Sequence, residues 1–205
     1  MKFLGKTNTS KILAEGLTYQ KNKADNNRKL REMLIAEQMN FCAYTEQYFK
    51  NLDSVEVEHF NSSKKYNDDY YNYYAALRKP NQYKKDQKYK DKAAAGKSFF
   101  GSLFFQKKGA FNSRIEYVDG IYEETDLKDS EAKELIDFLN LNNELLFKDR
   151  QNHVSRMKNI FKIAKYDKDN ILDYFRKHKE ELSFITALEI ELDIDLSEFY
   201  TKTDT

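Results

Sequence analysis

The stretch Val55 to Lys84, VEVEHFNSSKKYNDDYYNYYAALRKPNQYK, constrains this chain more than any other. Val55 and Val57 alternate with Glu56 and Glu58, which predicts a short strand with the valines inward, the glutamates outward and Glu58-His59 at its end. A loop rich in Ser, Lys, Asn and Asp follows. A second segment starts at Asn72, and Pro80 suits the first turn of a helix, because its missing N–H is one that no helix start can use. That helix is expected to run from Pro80 to Lys92 with Asn81 and Lys84 inward. Strand, loop and helix should then gather a carboxylate, an imidazole and an amide oxygen.

The order Glu58-His59, Asn72 and, nine residues on, Asn81 resembles the ββα-metal fold of HNH endonucleases. Arg28 to Gln47, RKLREMLIAEQMNFCAYTEQ, is similar to the family's lead-in helix and first zinc-knuckle strand. Of the four knuckle positions only Cys42 is kept; Thr45, Leu77 and Pro80 stand at the others, so no structural zinc is expected. The Glu58-His59-Phe60 triplet, the Tyr71–Ala75 segment and Leu139-Asn140-Leu141-Asn142 look most like the HNH subunit of Septu- and retron-type anti-phage systems. The resemblance implies an α+β chain: a ββα-metal HNH core and a mainly helical C-terminal region. It also implies DNA cleavage leaving 5′ phosphate, with His59 as general base and Asn72 holding it. Glu58 and Asn81 would bind a divalent ion, Mg²⁺ or Mn²⁺ for oxygen donors. An ABC-type ATPase is the partner it suggests, in an antiviral defence complex. The rival expectation is an HNH-fold scaffold with little or no activity.

Charge distribution agrees with a nucleic-acid substrate. The net charge is only +1, but residues 1–100 hold 19 Lys/Arg against 12 Asp/Glu, and residues 101–205 hold 16 against 22. Between Lys64 and Lys97 ten basic residues face four acidic ones, which suggests a surface for phosphate. Lys84, Arg78, Lys79, Lys64 and Lys65 are the candidate phosphate contacts; the ordinary alternative is solvated lysines. No run of about 18 apolar residues marks a membrane span. MKFLGKTNTS is unlike a secretion signal, and one Cys suits a reducing cytoplasm.

Three segments are expected: an arm over 1–25, a nuclease core over 26–100, and a partner-docking region over 101–205. A helical stripe runs from Asn26 to Gln38 through Leu30, Met33 and Leu34. Phe41–Tyr44 is expected to pair with the strand Val55–His59 through a loop near residues 51–53. Phe99-Phe100 and Leu103-Phe104-Phe105 should pack on the core. Arg114–Glu124 reads as a hairpin turning at Asp119-Gly120. Helices follow over Ser130–Leu139 (with Ser130 as cap), Asn142 to about Tyr166, Lys168–Lys179 and Ser183–Leu192. The last stretch is acidic, and Phe175, Phe199 and Tyr200 look exposed enough to dock a protein.

Each candidate has a plainer alternative. Glu58 could be a strand carboxylate paired with a nearby lysine, and Asn81 an ordinary first-turn residue. Tyrosines 66, 70, 71, 73 and 74 could stack on bases or pack their loop. His153 and His178 have no companion at ligand spacing, and Cys42 reads as a buried small residue. No Gly-rich phosphate loop is present, so ATP hydrolysis by this chain is not expected.

Overall fold

The computed structural model describes residues 6–50, 54–64, 68–107 and 110–201, with only the backbone at 110 and 112. The chain is α+β: mainly helix, with two separate two-stranded antiparallel sheets. Lys65, Tyr66 and the 51–53 loop lie outside the described residues.

The first sheet pairs β1 (Val55–His59) with β2 (Tyr73–Leu77), in register from Val55 opposite Leu77 to His59 opposite Tyr73. Phe41–Tyr44 is therefore not the partner of β1. It belongs to a tight turn closed by a single Phe41–Tyr48 bridge and a Cys42 N–H bond to the Gln47 carbonyl (2.8 Å). The reason lies in β2. Its Tyr73-Tyr74-Ala75-Ala76 is buried throughout, and the two alanines let other backbone approach. The Ala43 N–H reaches the Ala75 carbonyl at 3.2 Å. Gln38, just past α2 (Ala24–Glu37), satisfies both polar groups of Ala75 at 2.8 Å through its amide. The outer edge of β2 is closed in this way, with α2 burying Leu30 and Leu34 on the hairpin.

The alternation in β1 holds in part: Val55 and Val57 are half-buried against the core as expected, but Glu58, expected outward, is buried as well. The glutamates lie toward the helical side, where α3 (Arg78–Tyr83) starts directly after β2. Pro80 sits in the first turn of α3, where it costs no intrahelical bond. The helix does not run on to Lys92. Lys84 is extended, the Lys85 N–H bonds the Phe138 carbonyl at 2.8 Å, and α4 (Asp86–Ala94) begins anew. Capture of Lys85 by a distant carbonyl ends α3, a tertiary event that local propensity cannot signal.

Phe60, just after β1, is the hub of the core. It meets Phe105 (4.4 Å between centroids), Phe138 (5.3 Å), Phe100 (5.6 Å) and Phe99 (6.0 Å), so the aromatic cluster packs as expected. Phe99 and Phe100 start the short α5 (Phe99–Ser102). Asp119 and Gly120, both with positive φ, turn β3 (Ile115–Val118) into β4 (Ile121–Glu124), after the short α6 (Ala110–Arg114). The cap of α7 (Ser130–Leu139) is Asp129 rather than Ser130: its carboxylate takes the Ala132 N–H at 3.0 Å and grips Arg114. Then come α8 (Glu144–Ala164), α9 (Lys168–Lys177) and α10 (Ile185–Leu192).

These helices share one core with the hairpin. Glu46, fully buried in the 41–48 turn, accepts from the Thr186 N–H (3.1 Å), the Thr186 hydroxyl (2.9 Å) and the Tyr122 hydroxyl (3.3 Å). Phe175 is fully buried against Phe161, and Phe199 is buried as well, so neither is the exposed aromatic expected. Apolar faces on α8 and α9 absorb them. The 6–22 arm packs on the core too: Ile12 is buried in the short α1 (Lys11–Ala14), and Lys6 bonds the Tyr73 carbonyl between the Tyr70 and Tyr74 rings.

The basic run is partly spent within the chain. On α7, Asp137 accepts from Lys85 (2.6 Å), Lys88 (2.7 Å) and the Tyr89 hydroxyl (2.9 Å), and Glu134 pairs with Lys92. Burial alone would raise the Asp137 pKa, but these donors outweigh it and hold it at about 2. A carboxylate depressed in the folded state stabilises fully above its unfolded pKa near 4, and loses that contribution as pH falls through 2. Thermal melts between pH 4 and 2 should therefore fall less steeply for Asp137→Asn than for the wild type. Parallel acid limbs would refute this role.

Candidate functional site

The succession β1–loop–β2–α3 places the predicted residues at one end of the hairpin, in two groups rather than one. Neighbouring residues on a strand point to opposite faces, and Glu58 and His59 part accordingly. Glu58 turns to the α3–α4 junction, and His59 to the arm and the loop before β2.

In the first group Glu58 Oε1 accepts from Lys84 Nζ in a buried ion pair. Lys84 Nζ also donates to the His59 carbonyl (2.9 Å) and the Phe60 carbonyl (3.4 Å) and lies 3.3 Å from Asp86. Asn81 faces the same side and donates its amide to Glu56 at 3.3 Å. Burial raises the Glu58 pKa, with Asp86 adding to the rise, against Lys84 and Asn81, which favour the carboxylate. Lys84 thus does not project to solvent as a phosphate contact would. The extended junction after α3 swings it inward beneath the end of β1, where it is 1 % exposed. The paired-lysine alternative for Glu58 is realised, though buried rather than exposed.

The second group is His59, Asp68 and Asn72. His59 Nδ1 is hydrogen-bonded to Asp68 Oδ2, and Asp68 Oδ1 accepts from the Asn72 amide. Asn72 spans the hairpin mouth: its oxygen takes the Asn61 N–H at 2.8 Å and its nitrogen donates to the Asn61 carbonyl at 3.0 Å. The imidazole is flanked edge-on by Tyr19 (5.0 Å) from the arm and by its cross-strand neighbour Tyr73 (5.5 Å). Asp68 and Tyr19 were not found from sequence. Asp68 stands beside Asp69, which caps the turn at Tyr71 (2.9 Å), and nothing in the pair says which carboxylate turns inward.

Of the other candidates, Arg78 is exposed and paired with Glu56 at 2.8 Å, and Lys64 and Lys79 are exposed. Tyr70, Tyr73 and Tyr74 are buried and pack the loop; Tyr71 is 40 % exposed. His153 bonds the Glu181 carbonyl (2.9 Å) and His178 packs on Tyr174 (4.5 Å). Cys42 is buried, which pushes its thiol pKa up, and its sulfur accepts the Leu77 N–H at 3.4 Å.

Among the described residues no three His, Cys, Asp or Glu side chains converge on a common metal position. The hard oxygens of Glu58 and Asn81 lie on one side of the hairpin and fit Mg²⁺ or Mn²⁺ in donor type. Lys84 is a resident cation on the same carboxylate. No described helix is long and apolar enough to cross a membrane. Compared with family models, curated proteins and solved structures, the chain matches none, and the reading of its site rests on this geometry.

Proposed function

We propose that this chain is an HNH-type endonuclease that hydrolyses DNA phosphodiester bonds, with β1, β2 and α3 as its ββα-metal core. The observation that carries the reading is an imidazole at the end of β1, anchored through Nδ1 by a carboxylate, with the Glu58 carboxylate next to it in the strand and the Asn81 amide on the adjoining helix α3. His59 accepts a proton from water at Nε2 as the water oxygen bonds phosphorus. The bond from phosphorus to the 3′ oxygen breaks, and that oxygen takes a proton from solvent, leaving a 5′ phosphate. Glu58 and Asn81 would hold the Mg²⁺ or Mn²⁺ ion, which when bound neutralises charge at the phosphate. Lys64 and Lys79, both exposed, with Arg78 and the neighbouring Lys65, contact the flanking backbone. Lys84 acts through Glu58. The partner we propose is an ABC-type ATPase of an antiviral complex, docked on the acidic 101–205 region.

One observation favours the rival reading, an HNH-fold scaffold: Lys84 already neutralises the carboxylate that an ion would need. Incubating supercoiled plasmid with the purified chain and Mg²⁺ or Mn²⁺ separates the two. Nicking or linearisation that stops on adding chelator is the expected result. DNA binding without cleavage in either ion, with and without the ATPase, would leave only the scaffold.

A further inference from the structure

We propose that Asp68 is the positioning residue of His59: it fixes the imidazole in the tautomer whose Nε2 is the base, and Asn72 holds Asp68 in place. This rests on His59 being the general base proposed above. The argument begins with inventories of donors and acceptors. An ionised carboxylate can only accept, so the ring nitrogen facing Asp68 Oδ2 must carry the hydrogen. Nδ1 is that nitrogen, and the lone pair is left on Nε2. A ring without this partner would divide between two tautomers and could turn about its side-chain bonds.

Burial makes the contact more than incidental. The side chains of His59 and Asp68 are 13 % and 4 % exposed, so water competes poorly for the bond. Asp68 is not itself free to swing. Its other oxygen accepts from Asn72, whose amide is bonded on both atoms to the Asn61 backbone. The Asn61 side chain in turn donates to the Ala93 carbonyl (3.0 Å) at the end of α4 and accepts from Ser63. The relay runs from the imidazole through a carboxylate and two amides into a helix end. Each link is fixed at both sides, as a group that orients a base must be.

The carboxylate has an electrostatic consequence as well. When Nε2 takes a proton from water, the ring becomes an imidazolium, and Asp68 lies against its Nδ1–H. Among the described residues the rings packed on it are Tyr19 and Tyr73, which bring no charge. Lys84 reaches only the His59 backbone carbonyl, and Lys6 the Tyr73 carbonyl behind the strand. Among the described residues Asp68 is the charged side chain in contact with the ring, so its removal should be felt in the tautomer.

The test uses the full-length chain with ¹⁵N-labelled histidine, in the wild type and in Asp68→Asn. In the wild type, long-range ¹H–¹⁵N correlations should show His59 as the Nδ1–H tautomer above its pKa. Asp68→Asn, whose amide can donate to Nδ1, should show the Nε2–H tautomer. Cleavage should fall by about 10²-fold or more in kcat, with KM for duplex DNA little changed. Asp68→Glu should restore part of the rate. An Nε2–H tautomer in the wild type overturns the proposal whether or not the variant folds. So does an unchanged tautomer in a folded Asp68→Asn. If the tautomer moves as expected while neither protein cleaves DNA, the relay stands and the nuclease reading fails.

Discussion

His59→Ala should abolish cleavage, lowering the rate by about 10²- to 10⁴-fold, the usual cost of removing a general base. The fold should survive. The ring is flanked edge-on by Tyr19 and Tyr73 rather than set in the Phe60 cluster, and β1 keeps its backbone pairing with β2. DNA affinity should survive too, because Lys64, Lys79 and Arg78 are untouched. The measurement is single-turnover cleavage of a duplex beside circular dichroism and a binding isotherm. Wild-type rates in His59→Ala would remove the assignment, and with it the reason to look for a base at the end of β1.

The second large effect is on stability, at Arg150 of α8. This side chain is 1 % exposed. It donates to the Gly120 carbonyl through Nη2 (2.8 Å) and Nε (3.2 Å) and to the Leu141 carbonyl through Nη1 (3.3 Å). Its guanidinium also lies over the Tyr122 ring at 4.9 Å. One arginine thus joins the turn of the β3–β4 hairpin to the end of α7. Arg150→Met keeps the volume but leaves two buried carbonyls without a donor, each costing about 1–3 kcal/mol, and removes charge-assisted bonds. A loss of about 3–5 kcal/mol is expected, read as a lower urea midpoint at unchanged slope. A midpoint within error of the wild type would mean that the hairpin turn is held by other contacts.

Much of this architecture is legible in local sequence. The Asp119-Gly120 turn, the helical stripes of α2, α7, α8 and α9, and the aromatic cluster after α4 each follow from periodicity or from a residue type with one conformational use. Strand β1 was legible as a strand, and its end at Glu58-His59 was right. Its partner was misread because a strand's neighbour is chosen by whatever closes the sheet. That choice falls to the paired alanines of β2, which admit Gln38 and Ala43 to backbone distance.

The candidate site divides along the same line. The chemistry-bearing residues and their separations along the chain, Glu58-His59, Asn72, Asn81 and Lys84, are properties of the amino-acid order alone. Their partners are set by packing. The strand pleat sends Glu58 and His59 apart, the break after α3 turns Lys84 inward onto Glu58, and the loop before β2 aims Asp68 rather than Asp69 at the imidazole. Spacing is a property of one segment, and pattern can report it. Which carboxylate meets which cation depends on where separate segments are packed, and here the Phe60 cluster and the Lys85–Phe138 contact determine that packing.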